Sequence, residues 1–395
     1  MVFSGDFRQH IGPNTIPSTV TSIFFRGQRV PTFQEHSIPT SVTHVEFRGQ
    51  FIQPLEIGHI PHSVTSLSFA SEAHWPQGQP GILPDSIRTL SLHVNDPVYP
   101  GMIPHSVTKL MLGEYYNQPL EANVIPSSVT YLSLGGHFNH PVLPGQIPSS
   151  VIKLRFGYAF NKELTPGAIP TSVIKLLYGH QFNQKLHTKQ SLFRALRSIG
   201  KGGSMSETHL IPSSVTKLAF GYKFNQVIEP GDLPSTLTSL SFGSVFSQPL
   251  IPGSIPAAIK EVSFGKSLSI PIAMESFPTT GWLRIRVPAT HKHPIVPMAG
   301  QSIHLLITLD YSDTLGKVLI DSITNHSIPS CTLIVLRDST MSIIQIRSYF
   351  KDHMFVVADS VRMGFIHHSE LFQLLTRLVS RASHESLRCI YDPLF

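Results

Sequence analysis

The sequence predicts a solenoid of about 13 coils of 22 residues, stacked through short parallel strands and followed by a carboxy-terminal α/β region. Three observations predict it: a proline-anchored unit that recurs near 22 residues, apolar columns that keep register from unit to unit, and glycine and proline at fixed places between them. A period of this size means that each unit buries its apolar side only against its neighbours. The anchors are Ile16-Pro17, Ile38-Pro39, Ile60-Pro61, Leu83-Pro84, Ile103-Pro104, Ile125-Pro126, Ile147-Pro148 and Ile169-Pro170. Ile211-Pro212, Leu233-Pro234, Ile255-Pro256 and a weaker Phe277-Pro278 continue the run.

Within the coil that begins at Ile211, Val215, Leu218 and Phe220 are spaced by three and then two. The last two share one face of a short strand, and the first turns inward just before it. This three-then-two spacing is that of a leucine-rich-repeat strand. The columns hold along the chain. Val107, Val129, Val151 and Val173 exemplify the first, Leu110, Leu132, Leu154 and Leu176 the second, and Phe25, Phe47, Phe156 and Phe220 the third.

Punctuation accounts for the rest of the coil. Gly113, Gly135, Gly157, Gly179 and Gly243 follow the strand at one fixed place, where glycine permits either positive φ or close approach of the next backbone. Pro-Gly pairs starting at Pro80, Pro100, Pro144, Pro166, Pro230 and Pro252 predict type II turns. The anchor proline donates no hydrogen bond and belongs in the return leg, outside the ladder. An aromatic-Asn column, Tyr116-Asn117, Phe138-Asn139, Phe160-Asn161, Phe182-Asn183 and Phe224-Asn225, is expected to close the core and satisfy turn backbone groups.

These units resemble the FNIP repeat, a 22-residue relative of leucine-rich repeats found in social amoebae and some giant viruses. The matching residues are Phe224-Asn225-Gln226, Phe246-Ser247-Gln248-Pro249-Leu250 and Pro252-Gly253-Ser254-Ile255-Pro256, and the resemblance covers about residues 10–287. It implies a stacked array used for protein interaction. Some relatives carry an F-box or a kinase domain. The repeats here begin near residue 10, so a ubiquitin-adaptor role would need a ligase-binding segment in the tail.

The expected organisation is a solenoid over residues 1–287 and a small α/β domain or carboxy-terminal cap over 288–395. The 42 residues from Ile169 to Ile211 are about two periods with one anchor missing, and are read as a degenerate coil, irregular over 187–210. Within them, residues 191–199 read as a short basic amphipathic helix, either the return leg of that coil or, as the alternative, a protruding docking element. After Phe277 the columns slip by one residue, placing Trp282, Ile285 and Val287 inward, and from about 288 the period is lost. Strands are expected at 302–309, 332–336, 342–347 and 354–358, and a helix at 369–380.

Composition narrows the function. Charged residues are only 14% of the chain and the net charge is +6, short of a nucleic-acid-binding composition. Cys331 and Cys389 are the only cysteines, which favours a reducing, intracellular and cytoplasmic setting. No signal peptide and no membrane-spanning apolar stretch is legible, so no membrane is expected. The 21 histidines lack metal-ligand spacing, neither cysteine has a nucleophile signature, and no phosphate loop is present. No cofactor, metal or catalytic residue is therefore assigned, and the chain is read as a non-enzymatic scaffold.

The outward strand positions carry Lys109, Tyr131, Lys153, Arg155, Lys175 and Lys217 through the central coils, with Tyr222 nearby. Rows of like charge on adjacent strands are costly unless solvated or met by an acidic partner. These residues are the candidate partner-binding face, with an acidic protein segment as its ligand. The alternatives are a substrate-recognition subunit of a ubiquitin ligase, or an enzyme with its active site in the carboxy-terminal region.

Overall fold

The computed structural model describes residues 1–3, 7, 9–51, 54–70, 80–93, 95–187, 209–309, 317–324, 330–337, 340–350, 353–358 and 362–367. The protein is a parallel-strand β-solenoid of about 12 turns of about 22 residues. The chain divides into two compact units, Met1–Val215 and Thr216–Phe395.

The first unit holds Val2–Phe3 (β1), Ser22–Phe25 (β2), Arg29–Val30 (β3), His44–Phe47 (β4), Gln50–Phe51 (β5) and Ser66–Phe69 (β6). Thr89–Leu92 (β7), Lys109–Leu112 (β8), Tyr131–Ser133 (β9), Lys153–Arg155 (β10) and Lys175–Leu177 (β11) follow. All but β3 and β5 join one parallel ladder, and those two pair with each other. The register sets Leu110, Leu132, Leu154 and Leu176 side by side, as the apolar column predicts. All four are completely buried. Rings stack along the same axis: Phe3, Phe25, Phe47 and Phe69 lie 5.1, 5.0 and 5.5 Å apart.

Polar ladders hold the turns in step. Asn139 Oδ1 accepts the Asn161 backbone N–H at 2.9 Å, and Asn161 Oδ1 accepts that of Asn183 at 2.9 Å. The asparagine column thus satisfies turn backbone, as expected. The glycine after the strand is explained by close approach: a Cβ on Gly157 or Gly179 would overlap the carbonyl of the preceding coil's glycine. Positive φ belongs to the Pro-Gly turns instead, with Gly145 at 87°.

A serine ladder settles what happens between Ile169 and Ile211. Ser150 Oγ donates to the Val129 carbonyl and Ser172 Oγ to that of Val151, each at 2.8 Å across 21 residues. Ser214 Oγ donates to the Val173 carbonyl at the same 2.8 Å, across 41 residues. Coils anchored at Ile169 and Ile211 are therefore successive turns, and the missing anchor does not mark a coil of its own. The extra length lies between His187 and His209. Residues 191–199, expected to be helical, fall outside the described residues.

The second unit opens with Lys217–Ala219 (β12), Ser239–Ser241 (β13) and Glu261–Ser263 (β14), paired in parallel at 22-residue steps. Trp282–Pro288 (β15) is longer and strictly alternating: Leu283, Ile285 and Val287 are buried, whereas Trp282 is 63% exposed. The expected slip that turned Trp282 inward is thereby corrected. The strand begins at residue 282, so residues three apart cannot share a face. Ser302–Leu309 (β16) and Ser330–Arg337 (β17) extend the parallel ladder. Thr340–Phe350 (β18), His353–Ala358 (β19) and Arg362–His367 (β20) follow as antiparallel strands. All four strands expected in the tail are present.

The period also outlasts residue 288. Gly300 has φ 86°, and Gln301 Oε1 accepts the Met298 N–H at 2.8 Å, as Gln146 Oε1 accepts that of Leu143 at 2.7 Å. The sequence reading missed the helix Lys317–Thr324, which connects the parallel strands β16 and β17 and buries Leu319 and Ile323. The helix expected at 369–380 lies outside the described residues.

Candidate interaction face

Each coil turns two strand positions outward, because the intervening leucine column faces the core. In the first unit the earlier position forms a row in strict register: Lys109 beside Tyr131, Tyr131 beside Lys153, Lys153 beside Lys175. Adjacent members are separated by the strand spacing of about 4.8 Å. Lys109 Nζ lies 5.4 Å from the Tyr131 ring centroid, a cation–π distance that orients both side chains. Arg155 lies two residues beyond Lys153 on the same face, between Ser133 and Leu177. Five of the six candidate residues are thus brought together.

Lys217 lies in the second unit, where it heads a row that continues with Ser239, Glu261 and Arg284. That row mixes charges. The first unit's row holds no carboxylate from Lys109 to Lys175. Among the described residues, no ion pair joins Lys153, Arg155 or Lys175 to a carboxylate. Tyr222 is exposed and also lies in the second unit.

Sequence reading missed the apolar part of this face. Ile152, Ile174 and Leu177 are exposed beside the cations. The signal was legible: Ile152 and Ile174 stand where earlier coils carry Thr108 and Thr130. Tyr158, in the turn after β10, is exposed and stacks on His180 with centroids 4.4 Å apart. The face is therefore amphipathic, with four cations among aliphatic side chains, and the aromatic pair stands in the turns that follow β10 and β11.

Elsewhere burial dominates the titratable groups. Desolvation, aided by Glu121, pushes the Tyr116 phenol up to about 12. Burial lowers His93, a shift that Glu46 and Glu114 oppose. Among the described residues no three His, Cys, Asp or Glu side chains converge as a metal site would require. No described helix is long and apolar enough to cross a membrane.

These features define a solenoid of leucine-rich-repeat-like type. Residues 32–71, 77–115, 116–159, 207–245 and 224–267 match the family described as FNIP Repeat. The chain is a FNIP-repeat-containing protein, built from the repeat that its Phe-Asn and Ile-Pro motifs resemble. Among solved structures it is similar to the crystal structure of CroV588, described as a novel circular LRR protein structure. The likeness has a TM-score of 0.57 at 25% identity and covers 79% of this chain. It spans 47% of that protein, so less than half of the neighbour is represented. No curated protein matches the chain.

Proposed function

We propose that this protein is a non-enzymatic interaction scaffold whose first unit binds an acidic protein segment across β8 to β11. The observation that carries the reading is the in-register row Lys109, Tyr131, Lys153 and Lys175, with Arg155 beside it and no carboxylate in the row. Juxtaposed cations repel one another at the strand spacing, and an acidic ligand relieves that repulsion. The exposed Ile152, Ile174 and Leu177 give such a ligand apolar surface to cover. The fold supports the class, since solenoids present extended surfaces to partners. In this reading residues 288–395 serve as a terminal α/β cap, and the scarcity of cysteine supports an intracellular setting.

The test is affinity purification with the full chain, comparing wild type with Lys153→Gln, Arg155→Gln and Lys175→Gln combined. Exposed ion pairs contribute about 0.2–1 kcal/mol each, so the triple variant should lose roughly three- to a hundredfold in affinity for a partner recovered with wild type. Wild-type binding should also weaken with added salt. Undiminished capture by the triple variant refutes the assignment. Co-purifying ligase components would instead favour substrate recognition for ubiquitin ligation.

A further inference from the structure

We infer that the outward face of β15 is a second docking surface, one that takes an extended acidic segment with the pattern apolar-x-acid-x-acid. Strand alternation turns Trp282, Arg284 and Arg286 to the same side, and all three are exposed. An indole 63% exposed is unusual, since tryptophan is highly buried on average, and tryptophan and arginine are the side chains that anchor interfaces most often. Successive same-side residues on a strand stand about 6.6–6.8 Å apart. An extended peptide has the same two-residue repeat. Carboxylates at its alternate positions therefore match Arg284 and Arg286, and an apolar side chain two residues away reaches Trp282.

The neighbouring strands support the charge matching. Arg286 lies between Ser263 of β14 and Leu306 of β16, neither of which neutralises it. Arg284 lies between Glu261 and His304, and His304 Nδ1 is within 2.6 Å of Ser330 Oγ. Glu261 is the single acidic neighbour in register, and it forms no ion pair with Arg284 among those found in the described residues. Arginine suits this task better than lysine, because its planar fork engages a carboxylate through two parallel hydrogen bonds. This surface lies wholly in the second unit and does not depend on the lysine row of the first.

The experiment uses the full chain carrying Trp75→Phe, which leaves Trp282 as the only tryptophan. A peptide with leucine followed by glutamates at the second and fourth subsequent positions is titrated while Trp282 emission is followed. The expected result is a blue shift on binding, as the solvated indole is covered. Arg284→Gln with Arg286→Gln should weaken binding at least about tenfold. Arg284→Lys with Arg286→Lys should fall between, and Glu261→Gln should tighten binding by removing the competing carboxylate. The Lys153, Arg155 and Lys175 triple variant should bind this peptide as wild type does, so failure of the first surface is distinguishable from failure of this one. Circular dichroism confirms that each variant is folded. Equal binding of a peptide with its glutamates adjacent would overturn the inference, as would full binding by Arg284→Gln with Arg286→Gln. Tighter binding of a single-stranded oligonucleotide through the same three residues would overturn it as well.

Discussion

At the scale of single residues, the glycines divide into two kinds that respond differently to the same substitution. Gly157→Ala drives a methyl group into the carbonyl of Gly135, which is backbone and cannot step aside. We expect a loss of about 3 kcal/mol or more in chemical denaturation. Gly145→Ala meets nothing within 4 Å but must hold φ near 87°, so about 1–2 kcal/mol is expected. Equal losses for the two would show that crowding between coils is not what selects glycine after the strand. His291 offers a pH signature. It is 1% exposed, and its N–H to the Pro288 carbonyl repeats that of Phe246 to Gly243, so it stands in the aromatic column. Burial lowers its pKa from 6.5, opposed by the nearby Leu268 backbone and reinforced by His293. The folded state therefore holds it neutral where the unfolded chain is protonated. Its contribution is complete above pH 6.5 and is lost as pH falls toward the depressed folded value. His291→Leu should flatten the decline of the urea midpoint between about pH 7 and 5; an unchanged slope would assign that decline to other groups.

At the scale of elements, each coil is registered to its neighbour by side chains that reach backbone one turn away. Asn161 Oδ1 accepts both the Asn183 N–H and the Gln184 side-chain amide, at 2.9 and 3.0 Å. Asn161→Ala takes the acceptor from the Asn183 N–H in a half-buried turn, while the Gln184 amide keeps the Asn161 backbone carbonyl at 3.0 Å, so a cost of about 1–3 kcal/mol is expected. Asn161→Asp keeps the acceptor and should retain most of that stability; parity between the two variants would make the asparagine ladder incidental. The extra sequence between the Ile169 and Ile211 anchors makes a sharper prediction. Removing residues 188–208 leaves 21 of the 42 residues between the anchors Ile169 and Ile211, close to one period. Because Ser214 already bonds to Val173, the shortened chain should unfold as a single cooperative transition with a midpoint near that of wild type. Loss of folding would mean that this stretch supplies structural contacts of its own.

At the scale of the molecule, the solenoid and its interaction class follow from the period, and the columns were legible because the same local chemistry recurs in every turn. Valine, leucine and phenylalanine at three-then-two spacing pack inward wherever they occur, and Pro-Gly turns adopt positive φ whatever surrounds them. Five of the six candidate binding residues were readable as one face for the same reason: strand alternation and a constant period bring position 109 beside 131, 153 and 175. The apolar members of that face, Ile152, Ile174 and Leu177, were passed over because an isolated exposed aliphatic residue is ordinary. Only adjacency across coils makes a patch of them. Periodicity alone thus determined the strand spacing, the core columns, the turn chemistry and the repeat class, since all of these rest on contacts that every coil repeats. Tertiary structure decided where the period changes: that the coils at Ile169 and Ile211 are neighbours, that β15 extends far enough to turn Trp282 outward, and that the parallel ladder continues through β16 and β17. Those outcomes depend on which distant carbonyl a serine reaches and on how long a strand finds a partner, and neither quantity is carried by local pattern.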